Sequence, residues 1–203
     1  MIWAIVVAAG SGTRYGGLKQ FERLGGRSLV EWAVEHPRTV ADGVVLVVPP
    51  EHLDADWPEV DAVVAGGRTR SDSVRAGLAA IPAGVDVVLV HDAARPGARR
   101  ETFEQVVAAL AAAEAVVPGL PIPDTLRHLD GTALDRDRIV AVQTPQGFRA
   151  DSLRAAHAGG GEATDDATLV ERAGGRVVVV PGTPEAMKVT TKDDLRVLAA
   201  LLP

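Results

Sequence analysis

The sequence predicts an α/β protein with a Rossmann-like, doubly wound and mostly parallel sheet, and three observations lead to this fold. Short β-branched runs alternate with Ala- and Leu-rich stretches of helical period. The predicted strands are apolar almost throughout, as are strands that helices cover on both faces. The first strand runs directly into a glycine-rich loop, VVAAGSGTRYGGLKQF at residues 6–21. In such a sheet, ligands bind beyond the carboxyl ends of the strands.

The individual elements follow from the same periodicities. Strands are predicted at Trp3–Ala8, Val44–Val48, Ala62–Ala65, Val85–Val90, Ala115–Val117 and Val177–Val180. Helices are predicted at Leu29–His36, Ser73–Ile81, Glu101–Ala113, Asp151–Ala158, Asp166–Ala173 and Lys192–Leu201. Two capping boxes support the helix starts, Ser28 with Glu31 and Thr191 with Asp194.

One segment, residues 121–146, breaks this alternation within a single domain of residues 1–203. Its two β-like pieces, Thr125–Leu129 and Ile139–Gln143, are joined by a polar turn region around Asp130 and Gly131. The pattern predicts a projecting hairpin, called the arm below. An isolated two-stranded hairpin is only marginally stable in water, so we expect a partner to hold it.

Composition limits the classes of protein that remain. With 203 residues and 47% apolar content, the chain can bury a substantial core. The absence of cysteine excludes disulfides, cysteine zinc sites and thiol nucleophiles, and cytoplasmic is the default location. A net charge of −6 argues against a general nucleic-acid surface. No signal peptide and no membrane span are expected, because no apolar run approaches the roughly 20 residues that a span needs.

The glycine-rich loop indicates an anion-binding site. Its glycines bend the chain sharply and let a ligand approach the main chain closely. The loop carries Arg14 and Lys19 but no acid. The chain uses arginine almost everywhere else, and its three lysines are Lys19, Lys188 and Lys192. The compact ammonium of a lysine beside this loop suits a phosphate.

Two common phosphate loops do not match this stretch. A dinucleotide fingerprint needs G-x-G-x-x-G and an acid after the second strand. Here the third glycine comes one place late, at Gly16, and the second strand ends in VVPPEH. A Walker loop needs a lysine where Leu18 stands. An NAD-dependent oxidoreductase therefore stays only as an alternative of another class, one that would bind nicotinamide without Mg²⁺.

Several further motifs accompany this loop along the chain. They are AAGSGTRYGGLKQF, GGRTRSDSVRAGL, VLVHDAARP, QTPQGF, ATDDATLVE and MKVTTKDDL. In this order they resemble the 2-C-methyl-D-erythritol 4-phosphate cytidylyltransferase (IspD) family of nucleotidyltransferases, over nearly the whole chain. Leu18 and Ala186 stand where many members have Pro and Asn, and neither change removes a charge.

The resemblance implies a reaction and its substrates. CMP passes from CTP to 2-C-methyl-D-erythritol 4-phosphate, and pyrophosphate is released. The fold is of the nucleotide-diphospho-sugar transferase type, and Mg²⁺ is the cofactor. Ribitol 5-phosphate cytidylyltransferase uses the same machinery and is the alternative. A catalytically silent nucleotide-binding module is disfavoured because the charged residues of the motifs are all present.

The resemblance also implies roles for particular residues. Catalysis is assigned to Arg14, Lys19, Lys188 and Asp92. Asp92 follows a buried strand and is expected to bind the Mg²⁺ that bridges triphosphate oxygens. His91 should point to the other side of that strand and be structural. The nucleotide is assigned to Ala8, Ala9, Gly10, Gly12, Gly67, Arg68 and Ser73.

The second substrate is assigned by resemblance to a less compact set of residues. This set is Asp92, Arg95, Arg136, Thr144, Thr164 and Lys188. Arg95 either braces Asp92 or meets substrate phosphate, and Asp165 and Asp166 either cap a helix or contact substrate. The family implies a homodimer whose arms clasp across a two-fold axis, so that Arg136 enters the neighbouring site. Arg138 is close by in the sequence and is the alternative.

Overall fold

A computed structural model describes residues 1–57 and 59–202 of the chain. Its strands are β1 Ile2–Val7, β2 Arg23–Leu24, β3 Arg27–Ser28, β4 Gly43–Val48, β5 Ala62–Ala65, β6 Val87–Asp92, β7 Ala115–Pro121, β8 Leu126–Arg127, β9 Ala133–Leu134, β10 Val140–Val142, β11 Gln146–Arg149 and β12 Val177–Pro181. Its α-helices are α1 Leu29–Val40, α2 Arg70–Ala80, α3 Arg100–Ala109, α4 Ala150–Ala158, α5 Asp166–Arg172 and α6 Lys192–Leu201.

The central sheet is mixed but mostly parallel, which confirms the predicted fold class. Its strand order is β10-β7-β11-β6-β1-β4-β5, and β12 pairs with β7. The run from β6 through β1 and β4 to β5 is parallel. β11 is antiparallel to both of its neighbours, β6 and β7. The parallel strands β1, β5 and β6 therefore all end at the same edge of the sheet.

Helices cover both faces of this sheet, and successive residues of one strand point to opposite layers. Leu46 of β4 packs in the layer that contains α1 and α3, with Val30 and Phe103. The neighbouring Val45 packs in the other layer, with Leu78 of α2 and residues of α4 and α5. All of β4 is buried for this reason. The continuous apolar strands of the sequence are explained by this two-sided burial.

The helix starts follow the capping chemistry, including one start that the sequence analysis placed three residues late. The boxes at Ser28 and Thr191 are both formed, as predicted. Helix α2 begins at Arg70 rather than Ser73, because Thr69 and Asp72 form a further reciprocal capping box. Helix α1 continues through Pro37 to Val40 rather than ending at His36.

The arm differs from the predicted hairpin. Its hairpin pairs β8 with β9, so the partner of Leu126–Arg127 is Ala133–Leu134. The second predicted piece, Ile139–Gln143, instead supplies β10, which pairs with the end of β7 in the main sheet. In the main sheet, β7 is seven residues long and can pair with this piece, whereas β8 is only two residues long. The projecting part of the arm is accordingly shorter than predicted.

No helix within residues 1–57 and 59–202 is long and apolar enough to cross a membrane.

Candidate active site

The glycine-rich loop after β1 is folded around a single carbonyl group. The Gly12 carbonyl accepts hydrogen bonds from the backbone N–H groups of Tyr15, Gly16 and Gly17. Gly12 has φ +63°, and a Cβ there would lie 1.8 Å from the Gly17 oxygen, so only glycine fits. Buried Gln20 closes the loop, because its side-chain Nε2 donates to the Gly10 carbonyl at 3.0 Å. The loop is thus shaped by its own contacts.

A cavity of about 440 Å³ lies between this loop and the ends of β5 and β6. All the residues assigned to the nucleotide and to catalysis line it: Ala8, Ala9, Gly10, Gly12, Arg14, Lys19, Gly67, Arg68, Ser73, Asp92 and Lys188. The cavity is therefore where the fold places its charged, glycine-rich motifs together. Its position beyond the strand ends is the one expected for a doubly wound sheet.

Buried Asp92 holds two cations on the cavity wall. Lys188 Nζ donates to its Oδ2 at 2.7 Å, and Arg70 Nε donates to its Oδ1 at 3.1 Å. Burial alone would raise the pKa of Asp92, but the charges of Arg70 and Lys188 hold that pKa well below its usual range. Arg70 Nη1 also donates to Oδ2 of fully buried Asp166 at 2.6 Å. Burial lowers the pKa of Arg70, and the two carboxylates outweigh this effect and raise it.

Lys19 and Arg14 form a second group of cations in the cavity. Lys19 Nζ donates to the carbonyl of Val189 at 2.6 Å. Burial is the main cause that lowers the pKa of Lys19, and the charges of Lys188 and Arg14 add to it. Among the described residues, no carboxylate forms an ion pair with Lys19 or Arg14. This part of the cavity therefore carries positive charge that a bound polyanion would neutralise.

The segment that carries Lys188 is fixed from two sides. The N–H of Val189 donates to the carbonyl of Ala94 at 2.8 Å. Arg95 donates from Nη1 to the carbonyl of Ala186 at 2.8 Å and from Nη2 to that of Val142 at 3.1 Å. Arg95 forms no ion pair with Asp92 within the described structure, so it braces backbone rather than the carboxylate. It thereby ties the Lys188 segment to β10.

The loop before α2 forms another wall of the cavity. Ser73 Oγ accepts from the N–H of Gly67 at 3.2 Å and donates to the carbonyl of Thr69 at 3.0 Å. A Cβ on Gly67 would lie 2.2 Å from the Asp72 Cβ, so this position also requires glycine. The Ser73 hydroxyl keeps one acceptor lone pair after these two bonds.

Four residues assigned to the second substrate lie outside the cavity lining: Arg95, Arg136, Thr144 and Thr164. Buried Thr144 accepts the N–H of Asp92 at 3.0 Å and shares a 2.9 Å hydrogen bond with His91 Nδ1. This placement behind Asp92 differs from the expected substrate contact. Arg136 is on the arm, where Nη1 bonds to the Pro123 carbonyl. Thr164 is exposed just before α5.

His91 is structural, as predicted from strand alternation. It is buried against Phe103, with ring centroids 5.1 Å apart. Burial lowers the pKa of His91 to about 3, so the ring is neutral at physiological pH. Asp165 is a cap: its Oδ1 accepts from the N–H of Thr168, and its Oδ2 accepts from Gln146. Asp166 has a different role, because it pairs with Arg70 and with His157.

The cavity offers few protein ligands to a metal ion. Asp92 is the one carboxylate among the cavity-lining residues that the structure describes, and both its oxygens already accept from cations. The described residues hold no group of three or more His, Asp or Glu side chains arranged for a metal ion. The chain thus fits a metal that takes its ligands mainly from bound phosphates, as Mg²⁺ does in many nucleotide sites.

The fold and this site together define a nucleotidyltransferase: a glycine-rich loop bearing Arg14 and Lys19 lies at the strand ends beside a second, charge-balanced lysine. Comparison with known proteins gives the family. The family model for 2-C-methyl-D-erythritol 4-phosphate cytidylyltransferase (IspD) matches residues 2–203, and the chain belongs to this family.

Individual relatives agree with this family. The chain is 45% identical to the 2-C-methyl-D-erythritol 4-phosphate cytidylyltransferase of Nocardia farcinica, over 98% of this chain and 93% of that protein. It is 47% identical to the bifunctional enzyme IspD/IspF of Clavibacter michiganensis, over 95% of this chain and 52% of that protein. The chain spans about half the length of such bifunctional relatives.

A solved structure gives the same result for the fold. The crystal structure of the 2-C-methyl-D-erythritol 4-phosphate cytidylyltransferase from Thermus thermophilus superimposes with a TM-score of 0.84 at 39% sequence identity. The match covers 99% of this chain and 98% of that one.

Proposed function

We propose that the chain transfers CMP from CTP to 2-C-methyl-D-erythritol 4-phosphate, giving 4-diphosphocytidyl-2-C-methyl-D-erythritol and pyrophosphate. The observation that carries the proposal is the division of cations in one cavity. In the described part of the chain, Arg14 and Lys19 have no carboxylate partner, whereas Lys188 is held by Asp92. A triphosphate supplies the negative charge that the first pair lacks. The relatives named above support the same reaction.

The reaction needs positioning and charge neutralisation rather than a protein nucleophile. A phosphate oxygen of the acceptor attacks the α-phosphorus of CTP, and the bond from that phosphorus to the oxygen bridging to the β-phosphate breaks. Pyrophosphate leaves with that oxygen and its electron pair. Arg14 and Lys19 stabilise charge on the α-phosphate and the leaving group, and Lys188 acts at the α-phosphate. No proton has to be transferred by the chain in this step.

Ser73 and the loop around it select the base. Its hydroxyl has one free lone pair, which can accept from the exocyclic amino group of cytosine. Uracil has a carbonyl oxygen at that position and would place acceptor against acceptor. Backbone groups of Ala8, Ala9 and Gly10 complete the pocket around the ring.

Mg²⁺ is the cofactor we propose, and it would supply further neutralisation of triphosphate charge. Its ligands come chiefly from the nucleotide, because both oxygens of Asp92 are occupied. A direct bond from Asp92 to the metal requires that Lys188 give up its place on Oδ2. The proposal also keeps a cytoplasmic location, with which a chain without cysteine is compatible.

The acceptor site is completed by a second copy of the chain in our proposal. The arm exposes two apolar side chains, Leu129 at the turn of the β8–β9 hairpin and Val142 of β10, which is 40% exposed. The Arg136 side chain, also on the arm, is half-exposed and therefore available to a neighbouring site. In a homodimer joined through residues 121–146, Arg136 would bind the acceptor's phosphate together with Lys188 and Thr164, while Arg95 holds the segment that carries Lys188.

The test is a direct assay of the purified protein with CTP, Mg²⁺ and each acceptor in turn. We expect pyrophosphate release and the cytidylyl product with 2-C-methyl-D-erythritol 4-phosphate. Faster turnover with ribitol 5-phosphate would change the acceptor named in the proposal and leave the transfer of CMP from CTP unchanged. Absence of product with both acceptors, together with nicotinamide cofactor binding in the absence of Mg²⁺, would overturn the proposal.

A further inference from the structure

We infer that Arg70 and Asp166 are positioning residues for this transfer, which hold Asp92 in place while Lys188 moves from it to the reacting phosphate. The inference rests on the proposed function. Neither residue was assigned a role by the sequence motifs beyond capping or substrate contact. Both belong to a buried chain of charges that extends away from the cavity.

The geometry of this chain is continuous. Arg70 uses two different nitrogens, Nε for Asp92 at 3.1 Å and Nη1 for Asp166 at 2.6 Å. Asp166 is fully buried, and its second oxygen shares a 3.0 Å hydrogen bond with Nε2 of buried His157. Arg70 belongs to α2, Asp92 to β6 and Asp166 to α5. One guanidinium therefore links three elements, and its orientation is fixed at both ends.

The charges explain why the second carboxylate is needed. The two positive charges of Arg70 and Lys188 balance the two negative charges of Asp92 and Asp166. When Lys188 turns to a phosphate, Asp92 keeps the Arg70 guanidinium and is not left as an unpaired buried anion, which would be strongly unfavourable. Asp166 keeps Arg70 from following Lys188 into the cavity, which Arg70 also lines. Without Asp166, Arg70 loses the contact that fixes one end of its guanidinium, and Asp92 is oriented less firmly.

The location of Asp166 separates the expected effects on kcat and KM. Arg14, Lys19 and Ser73 form no hydrogen bond or ion pair with Asp166 in the described structure. KM for CTP should therefore change little in Asp166→Asn. The kcat value should fall by about 10- to 100-fold, the size of effect found when the hydrogen-bond partner of a metal-ligating side chain is removed.

Asp165→Asn provides a matched control one residue away. Asp165 caps α5 and accepts from Gln146, and it makes no contact with Arg70. Asparagine preserves the cap, so this variant removes a neighbouring charge without touching the chain of ion pairs. We expect its kcat to equal that of the unchanged protein. Thermal unfolding of both variants shows whether they differ in stability at the assay temperature.

Arg70→Lys keeps the inference testable if Asp166→Asn does not fold. A lysine has one ammonium and cannot reproduce the fork that spans two carboxylates. We expect kcat of Arg70→Lys to fall as much as that of Asp166→Asn, with KM for CTP little changed.

The kcat values of these variants decide the outcome. Loss of kcat in a folded Asp166→Asn, or in Arg70→Lys where Asp166→Asn does not fold, supports the inference when Asp165→Asn keeps its kcat. Unchanged kcat in a folded Asp166→Asn, or a loss equal to that of Asp165→Asn, overturns it while the proposed function stands. An inactive parent protein would overturn both.

Discussion

The nucleotide cavity and the arm differ in where their side chains find partners. In the cavity, residues far apart in sequence bind each other, as Asp92 does with Lys188 and Lys19 does with Val189. In the β8–β9 hairpin of the arm, the hydrogen bonds are local: Arg127 bonds to Gly131, and Asp130 to Thr132. The cavity residues thus bind one another within one chain, whereas the β8–β9 hairpin has few contacts that fix its position. Binding of CTP should depend on one chain, and use of the acceptor on two.

The largest effect should follow from removing the ammonium group of Lys19. Lys19→Ala should lower kcat by about 100- to 1,000-fold, since one donor to developing charge is commonly worth that much. The fold should persist, because Lys19 is only half-buried and bonds to a single carbonyl. Lys192→Ala is the control, since Lys192 is exposed on α6. Equal kcat in both variants would remove Lys19 from the mechanism.

Arg136→Ala tests the arm. Loss of a charge-assisted hydrogen bond should raise KM for the acceptor by about 10- to 100-fold and leave KM for CTP nearly unchanged. Arg138→Ala is the control within the same short turn. A larger rise in KM for the acceptor in Arg138→Ala would assign acceptor binding to Arg138 instead.

Mixing two variant proteins tests whether the loop and the arm of one site come from different chains. After subunit exchange between Arg136→Ala and Lys19→Ala proteins, each heterodimer should regain one working site, built from the intact loop of one chain and the intact arm of the other. Recovery is measured as initial rate against the unmixed variants. No recovery after confirmed exchange, or an active monomer in sedimentation, would contradict the cross-subunit arm.

Buried His91, behind Asp92 on β6, should give the chain a pH-dependent stability. Burial lowers the pKa of His91 from 6.5 to about 3, so between these values the unfolded chain binds a proton that the folded one does not. Stability from this group is complete above the unfolded pKa and is lost as pH falls, by about 1.4 kcal/mol per pH unit. Urea unfolding between pH 7 and 5 measures this slope. His91→Asn should flatten it, whereas exposed His128→Asn should not; equal slopes in the two variants would contradict the assignment.

The smallest effect concerns base selection. Ser73→Ala removes one neutral hydrogen bond, so the preference for CTP over UTP should fall by roughly fivefold. Ser71→Ala, at another buried serine of α2, is the control. The ratio of kcat/KM for the two nucleotides is the measurement, and an unchanged ratio would remove Ser73 from base recognition.

Much of the fold could be predicted because strand and helix periods are local properties. The strand pattern of β4 and the capping pair of α6 are examples. The β2–β3 hairpin was missed, although Gly25 and Gly26, both with positive φ, are a common signature of a two-residue turn. The pairing of β10 with β7 could not be predicted, because a short strand pairs with whichever edge the rest of the fold presents.

The candidate site also contains a part that the sequence predicts and a part that it does not. The loop residues and Asp92 follow strands directly, so sequence position alone brings them to one edge of the sheet. Arg70 and Asp166 were not recognised as partners, since 96 residues separate them and each also fits the first turn of a helix. The Thr69–Asp72 capping box was the available signal for Arg70, because it fixes the start of α2 beside the cavity.

The lowered pKa of Lys19 makes this residue a reporter of the cavity's occupancy. An amine with a lowered pKa carries more free base at a given pH, and the free base is the form that reacts with acylating reagents. A triphosphate bound at the loop would cover the amine and restore its proton. Brief acylation followed by peptide mass analysis would then titrate nucleotide binding at one side chain, with the acceptor left out so that no turnover occurs.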